Sequence, residues 1–228
     1  RRHLYNKTTT PAYSSSHRLT EILSPDYVDK TNDGPTPDEI GNYVKYNYTN
    51  VFGPANPYKW RLPYKNDVTG SLFSQAYFNE GIKGDPYDDK AYYLYGEKEV
   101  WYPQSIVTKN YVVEFYLSNR QDAHSVLNEN GDVSSGGALK KLDKIVVYAL
   151  EDRMNNGQNA TSLKTIEFDY DYSLCQNFPL NNSGGGKLTL KEITIYTGDS
   201  KEKKISPYVF EYLSSNPSYS PSAVDKWT

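Results

Sequence analysis

The residues best spaced for chemistry lie between Asp26 and Glu39, in the run Asp-Tyr-Val-Asp-Lys-Thr-Asn-Asp-Gly-Pro-Thr-Pro-Asp-Glu. Asp29, Thr31 and Asp33 offer oxygens at alternate positions, Gly34 permits a sharp turn, and Asp38 and Glu39 follow to close a shell. A hard cation such as calcium is held by oxygen ligands in that order. Ile40 stands where an EF-hand loop carries its bidentate Glu, so Asp38 or Glu39 has to complete the set from another geometry. The competing reading is an acidic turn whose Asp and Asn side chains cap a short helix after it. A second acidic cluster, Asp85, Asp88 and Asp89, lacks the central Gly.

Aromatic rings form the other candidate surface. Tyr58, Trp60 and Tyr64 crowd an aromatic, Pro- and Gly-rich stretch over 50–100, and Trp101 follows it. Exposed planar rings are what a carbohydrate-stacking platform uses, and the same rings serve equally as the stretch's own core. Enzyme templates fit poorly. His3, His17 and His124 show no HExxH spacing, Ser14–Ser16 and Ser134–Gly137 lack the Gly-x-Ser-x-Gly elbow and read as loops, and Gly184-Gly185-Gly186-Lys187 precedes a strand, not a helix. Cys175 is the only cysteine, which excludes a disulfide within the chain and a multi-Cys metal cluster. With 28 Asp and Glu residues a hydrolase using a carboxylate pair stays open as an alternative, although nothing singles out a pair. The expectation is a protein that is not an enzyme.

The elements that position these residues follow from composition and periodicity. The chain has 228 residues and a formal net charge of -3, with basic residues interleaved among acids, so no contiguous positive field for nucleic acid is expected. No apolar run reaches the length of a membrane span. Among apolar residues Tyr dominates, with 23 copies against one Met, and Tyr favours the half-buried surface of a sheet. Period-2 alternation predicts strands at Tyr43–Tyr48, Tyr111–Leu117, Lys144–Tyr148, Ile166–Tyr172, Leu188–Tyr196 and Val209–Tyr212. Short helices are expected at Thr36–Tyr43 and Ala149–Asn155. Residues 50–100 read as a long ordered insertion in one all-β region, 1–228. The first residues carry no initiator Met or apolar signal core, and the chain reads as a piece of a larger polypeptide.

A weak internal repeat organises the strands. A Leu-x-x-Ile segment precedes an aromatic-x-Tyr segment at Leu19–Ile22 and Tyr46–Tyr48, at Leu142–Ile145 and Phe168–Tyr170, and at Leu190–Ile193 and Phe210–Tyr212. A degenerate copy joins Trp101–Thr108 to Val113–Phe115. Each copy reads as a hairpin with a variable polar turn. The aromatic-spaced rings are expected to line a shared dry interior.

Hairpins of this form, with Lys187–Ile193 and Pro207–Tyr212 as clear instances, resemble the Rhs/YD-repeat family and its insecticidal toxin-complex relatives. The segments Leu23–Asp29 and Phe168–Cys175 resemble very large secreted or surface proteins of Bacteroidetes bacteria. The resemblance implies a β-sheet shell that encloses or displays another polypeptide, and export from the cell to a secreted or surface location. It carries over no catalytic residue, because chemistry in that family sits in separate terminal modules. The expected architecture is therefore all-β: irregular antiparallel hairpins forming a curved sheet, a sandwich or a shell segment, with one or two short helices. Its expected partners are other segments of the same large polypeptide or a secreted complex, with a glycan as the alternative ligand.

Overall fold

The computed structural model describes residues 8–62, 93–129, 131–181, 183–198, 204–213 and 215–219. Among the described residues ten strands, one α-helix and one 3-10 turn follow in chain order: β1 (Glu21–Leu23), β2 (Tyr43–Phe52), β3 (Tyr58–Leu62), β4 (Leu94–Lys98), β5 (Val100–Thr108), β6 (Tyr111–Val126), β7 (Val133–Ala149), α1 (Leu150–Asn156), the 3-10 turn Gly157–Asn159, β8 (Ser162–Leu174), β9 (Lys187–Thr197) and β10 (Lys204–Val209). Eight strands form one antiparallel sheet in the order β1-β2-β5-β6-β7-β8-β9-β10, and β3 and β4 pair as a separate ribbon. The sheet is open, with β1 and β10 at its edges. The architecture is all-β with one short α-helix, as the alternation predicts.

The repeat is built as hairpins. Ile22 lies opposite Val44, Ser105 opposite Glu114, Ile145 opposite Ile166, and Ile193 opposite Tyr208. Each strand that opens a copy of the repeat therefore pairs with the strand that carries the aromatic segment after it, although Phe168–Tyr170 itself lies opposite β9 and not Leu142–Ile145. The helix expected at Ala149–Asn155 is present within one residue. Gly157, at φ 54°, ends it, and Leu150 is its buried residue. The 63–92 part of the predicted insertion lies outside the described residues, while its two ends form β3 and β4.

Several expectations need correction. Thr36–Tyr43 is not a helix. Ile40 pairs with Val28 through two backbone bonds of 3.1 and 3.3 Å, which consumes groups a helix would need. Gly41 then turns the chain at φ 84°, where a Cβ would stand 2.8 Å from the backbone of Asp26 and Tyr27. The strand expected at Val209–Tyr212 lies earlier, ending at Val209. Ser134–Gly137 belong to β7, not to a loop.

The interior also differs from expectation. Cross-strand partners set the faces. Phe115, Ile145, Ile166, Ile195 and Ile205 lie in one continuous row across β6 to β10. Tyr46, Ile106, Val113 and Val147 form a neighbouring row, and Phe168, Ile193 and Tyr208 another. These residues share one apolar face, but Tyr46 and Phe168 are only half-buried and Phe210 is exposed. The physical reason is that the sheet is a single layer there: no helix or strand among the described residues packs across this face.

The opposite face, the polar one, is the better covered. Arg153 of α1 grips Glu114 with two bonds of 2.8 and 3.0 Å and lies 5.0 Å over the Tyr148 ring. Tyr116 donates to Glu114 at 2.7 Å, and Lys144 stands 4.5 Å over the Tyr116 ring. Long side chains thus shield Val112, Val146 and Thr194, which are buried on that side. Burial, followed by hydrogen bonds within this cluster, pushes the Tyr116 phenol up.

A true core sits at one end of the sheet. β7 and β8 pair only between Lys144 and Tyr148, so beyond them β6–β7 and β8–β9 separate. The two parts are tied again where Leu188 N–H donates to Asp122 and Gln121 N–H donates to the Tyr172 hydroxyl. Val126, Phe178 and Leu180 form the buried cluster there, with Tyr95, Val133 and Tyr219 against it. Phe52 and Tyr58 meet edge-on at 5.3 Å beside it.

Candidate metal centre and ligand surfaces

The acidic loop precedes β2 and is closed by the Val28–Ile40 bridge. That bridge brings the two ends of the run together, so Glu39 returns to Asp29 and Asp33. One carboxylate oxygen from each of these three residues lies within 4.8 Å of the others. Asp29 and Asp33 are exposed, whereas Glu39 is 2% exposed. Thr31 is the fourth member: its Oγ1 stands 2.6 Å from Asp33 Oδ1 and 2.9 Å from Glu39 Oε1. A hydroxyl carries one proton, so it serves only one of those carboxylates at a time.

The remaining donors are backbone amides. Lys30 N–H donates to Glu39 Oε2, Asn32 N–H to Asp29 Oδ1 at 2.6 Å, and Gly34 N–H to Asp29 Oδ2 at 3.0 Å. These bonds also support the reading of a self-capped turn. The nearby cations bind carbonyls instead: Lys30 Nζ reaches Asp38 O, and Lys109 Nζ reaches Glu39 O and Gly41 O. Tyr27 registers the accumulated charge. Burial raises its phenol first, and Asp29, Glu39, Glu21 and Asp33 raise it further.

Asp38, expected as a ligand, is not part of the convergent group. Its carboxylate accepts the Thr36 hydroxyl at 2.7 Å, and that bond holds its pKa below the usual carboxylate range. Four of the five residues singled out by spacing therefore meet: Asp29, Thr31, Asp33 and Glu39. Asp85, Asp88 and Asp89 lie outside the described residues.

The aromatic candidates do not share a surface. Tyr58 is 4% exposed, its hydroxyl directed to the carbonyls of Ala123 and His124 at 3.3 Å, which leaves it no face for a ligand. Trp60 in β3 packs against Gly96 of β4, where an added Cβ would fall 2.7 Å from its ring. Trp101, at 37% exposure, belongs to the main sheet, and the Arg18 guanidinium lies 5.1 Å over its ring. Tyr64 lies outside the described residues. Of the other sequence candidates, His17 is exposed, His124 and Cys175 are half-buried, and His3 lies outside the described residues.

Two features had no signal in local spacing. Arg61 and Asp122 are buried charges that anchor the end of the sheet, Arg61 donating to Glu129 O at 2.8 Å and stacking over Tyr93. The isoleucine row, by contrast, leaves a faint trace. Ile145, Ile166, Ile193 and Ile195 occupy matching places in successive predicted strands, although only the register shows that they align.

Fold and loop together define an open antiparallel β-sheet protein with a convergent three-carboxylate loop. The chain matches no protein family, no curated protein and no solved structure.

Proposed function

We propose that the chain is a structural wall segment of a large exported, toxin-like or cell-surface protein, and that its apolar face encloses or displays another polypeptide. The single observation that carries this reading is the set of apolar rows across β5 to β10, half-buried on β5 to β9 and exposed on β10, on a face that no described helix or strand covers. A sheet normally buries its apolar side against a second layer. With about 4.8 Å between strands and about 6.8 Å between rows, the patch spans roughly 500 Å². That size is at the upper end for an isolated monomer and is typical of an interaction surface. The role is structural, and the resemblance to Rhs/YD-repeat hairpins supports it.

The test is photocrosslinking in the full-length polypeptide, with benzoylphenylalanine placed at Ile166 on the apolar face and at Glu167 on the other. Crosslinks from position 166 to polypeptide outside the sheet, and few from 167, are expected. Equal yields from both positions, or none from 166, would overturn the reading.

We also infer that the loop holds calcium through Asp29, Asp33, Glu39 and Thr31, stiffening the entry to β2. Three carboxylates so close together, one of them buried, favour a divalent cation between them. Isothermal titration with calcium chloride tests this directly: heat saturating at one equivalent is expected, and no heat at millimolar calcium would remove the proposal.

A further inference from the structure

The two edges of the sheet are guarded very differently. β1 has three residues, and an edge that short offers little to pair with. β10 is followed by more apolar chain, and Phe210 N–H still donates to Lys191 O at 2.9 Å, so the register with β9 continues past Val209. A bulge at Ser206–Pro207 interrupts the edge upstream. Downstream, from Tyr208 to Leu213, Glu211 is the only charge. Tyr208, Phe210 and Tyr212 are 60%, 37% and 44% exposed, and Val209 and Leu213 are exposed as well. A largely apolar edge with a single charge is a template for strand addition.

The geometry points to a second copy of this chain as the strand that adds, pairing antiparallel to β10 about a two-fold axis at Phe210. In Tyr208-Val209-Phe210-Glu211-Tyr212 the aromatic residues are symmetric about Phe210, with Val209 and Glu211 as the unlike pair between them. In that register Phe210 faces Phe210 of the second copy and Tyr208 faces Tyr212. Aromatic then meets aromatic at each of these positions, which is a favoured cross-strand arrangement. Glu211 faces Val209, so no like charges are opposed. A two-fold interface requires such self-complementarity. The pairing joins two eight-stranded sheets into one continuous sheet and carries the Phe168–Ile193–Tyr208 row on to Tyr212 of the second copy. The exposed apolar surface at this edge amounts to about 1,000 Å² over two copies, below a standard interface, so a weak dimer is expected. This contact is distinct from the apolar face, and either can fail without the other.

Sedimentation velocity on the 228-residue chain from 5 to 500 μM tests it. The parent should shift from monomer to dimer across that range. Phe210→Asp and Phe210→Lys, which oppose like charges at the axis, should each remain monomeric, and an equimolar mixture of the two should associate again. A parent that stays monomeric at 500 μM, or a dimer that survives in both variants, would overturn the proposal. So would a dimer abolished by Ile145→Asp but retained by Phe210→Asp. Should a variant fail to fold, amide exchange in the parent decides. Exchange at Tyr208–Tyr212 should slow between 5 and 500 μM, and unchanged rates would overturn the proposal.

Discussion

Arg120 holds Asp122 with two parallel hydrogen bonds, 3.0 Å from Nε to Oδ1 and 2.7 Å from Nη2 to Oδ2, inside an irregular stretch of β6. Register on β6 passes from Asn119 to His124 while its partner on β7 moves only from Lys140 to Ala138. The extra residues bulge out, turning Asp122 inward, where it also accepts Leu188 N–H of β9 at 2.9 Å. One carboxylate thus fastens the two parts of a sheet that has lost its ladder between β7 and β8.

Burial by itself pushes the Asp122 carboxyl up, but Arg120 and the Leu188 amide outweigh it and hold the group below the usual carboxylate value. The folded value is depressed, so the pair's stabilisation is present above the unfolded pKa of about 3.9 and is lost as pH falls through the folded value. Asp122→Asn should lower stability at pH 7 by about 3 kcal/mol, since it leaves the guanidinium without its counter-charge. The variant should also lose less stability than the parent below pH 4. Urea unfolding at pH 7, 4 and 2.5 checks both, and parallel pH profiles for parent and variant would refute the assignment.

On the calcium proposal the ion binds only the closed loop, so calcium should raise the melting temperature and excess chelator should lower it. Glu39→Gln should abolish the response. Asp38→Asn should retain it, because Asp38 is engaged with Thr36 outside the cluster. Scanning calorimetry with and without chelator makes the comparison. A response lost equally in both variants would mean that the ligand set is wrong.

Core position should dictate the cost of truncating aromatic rings. Phe178 is buried, and Phe178→Ala should cost roughly 3–5 kcal/mol. Phe168 is half-buried on the open face, so Phe168→Ala should cost about 1–2 kcal/mol, and Phe210→Ala in dilute solution less than that. Urea midpoints give the order, and a Phe168 loss as large as that of Phe178 would indicate a second layer over the apolar face.

The helix should depend on a single ion pair. Arg153 and Glu114 are linked by two bonds, with both side chains largely shielded from solvent. A double-mutant cycle with Arg153→Ala and Glu114→Ala should give a coupling of about 1–2 kcal/mol, above the level of an exposed pair. Amide exchange in Leu150–Asn156 should quicken in Arg153→Ala. A coupling near zero would show that Leu150 alone docks the helix.

Local pattern made much of this legible. Alternation such as Ile166-Glu167-Phe168-Asp169 fixes a strand and its two faces, because side chains in a strand point to opposite sides with a period of two. The hairpin repeat was readable for the same reason, since each Leu-x-x-Ile segment finds its partner next in the chain. The acidic spacing at Asp29, Thr31 and Asp33 carried most of the loop. Which of Asp38 and Glu39 closes it was not readable, because neighbouring carboxylates differ only in the direction that the Val28–Ile40 bridge gives them.

Sequence alone determined the β class and the short helix after Lys144–Tyr148, since both rest on contacts between near neighbours. Tertiary structure decided the rest. Register aligned Ile145, Ile166, Ile195 and Ile205 into one row, the β6 bulge buried Asp122, and a single layer left the apolar face and the β10 edge uncovered by described helices or strands. Those outcomes depend on pairings between distant strands, and a shift of one residue in any of them would carry every side chain to the opposite face.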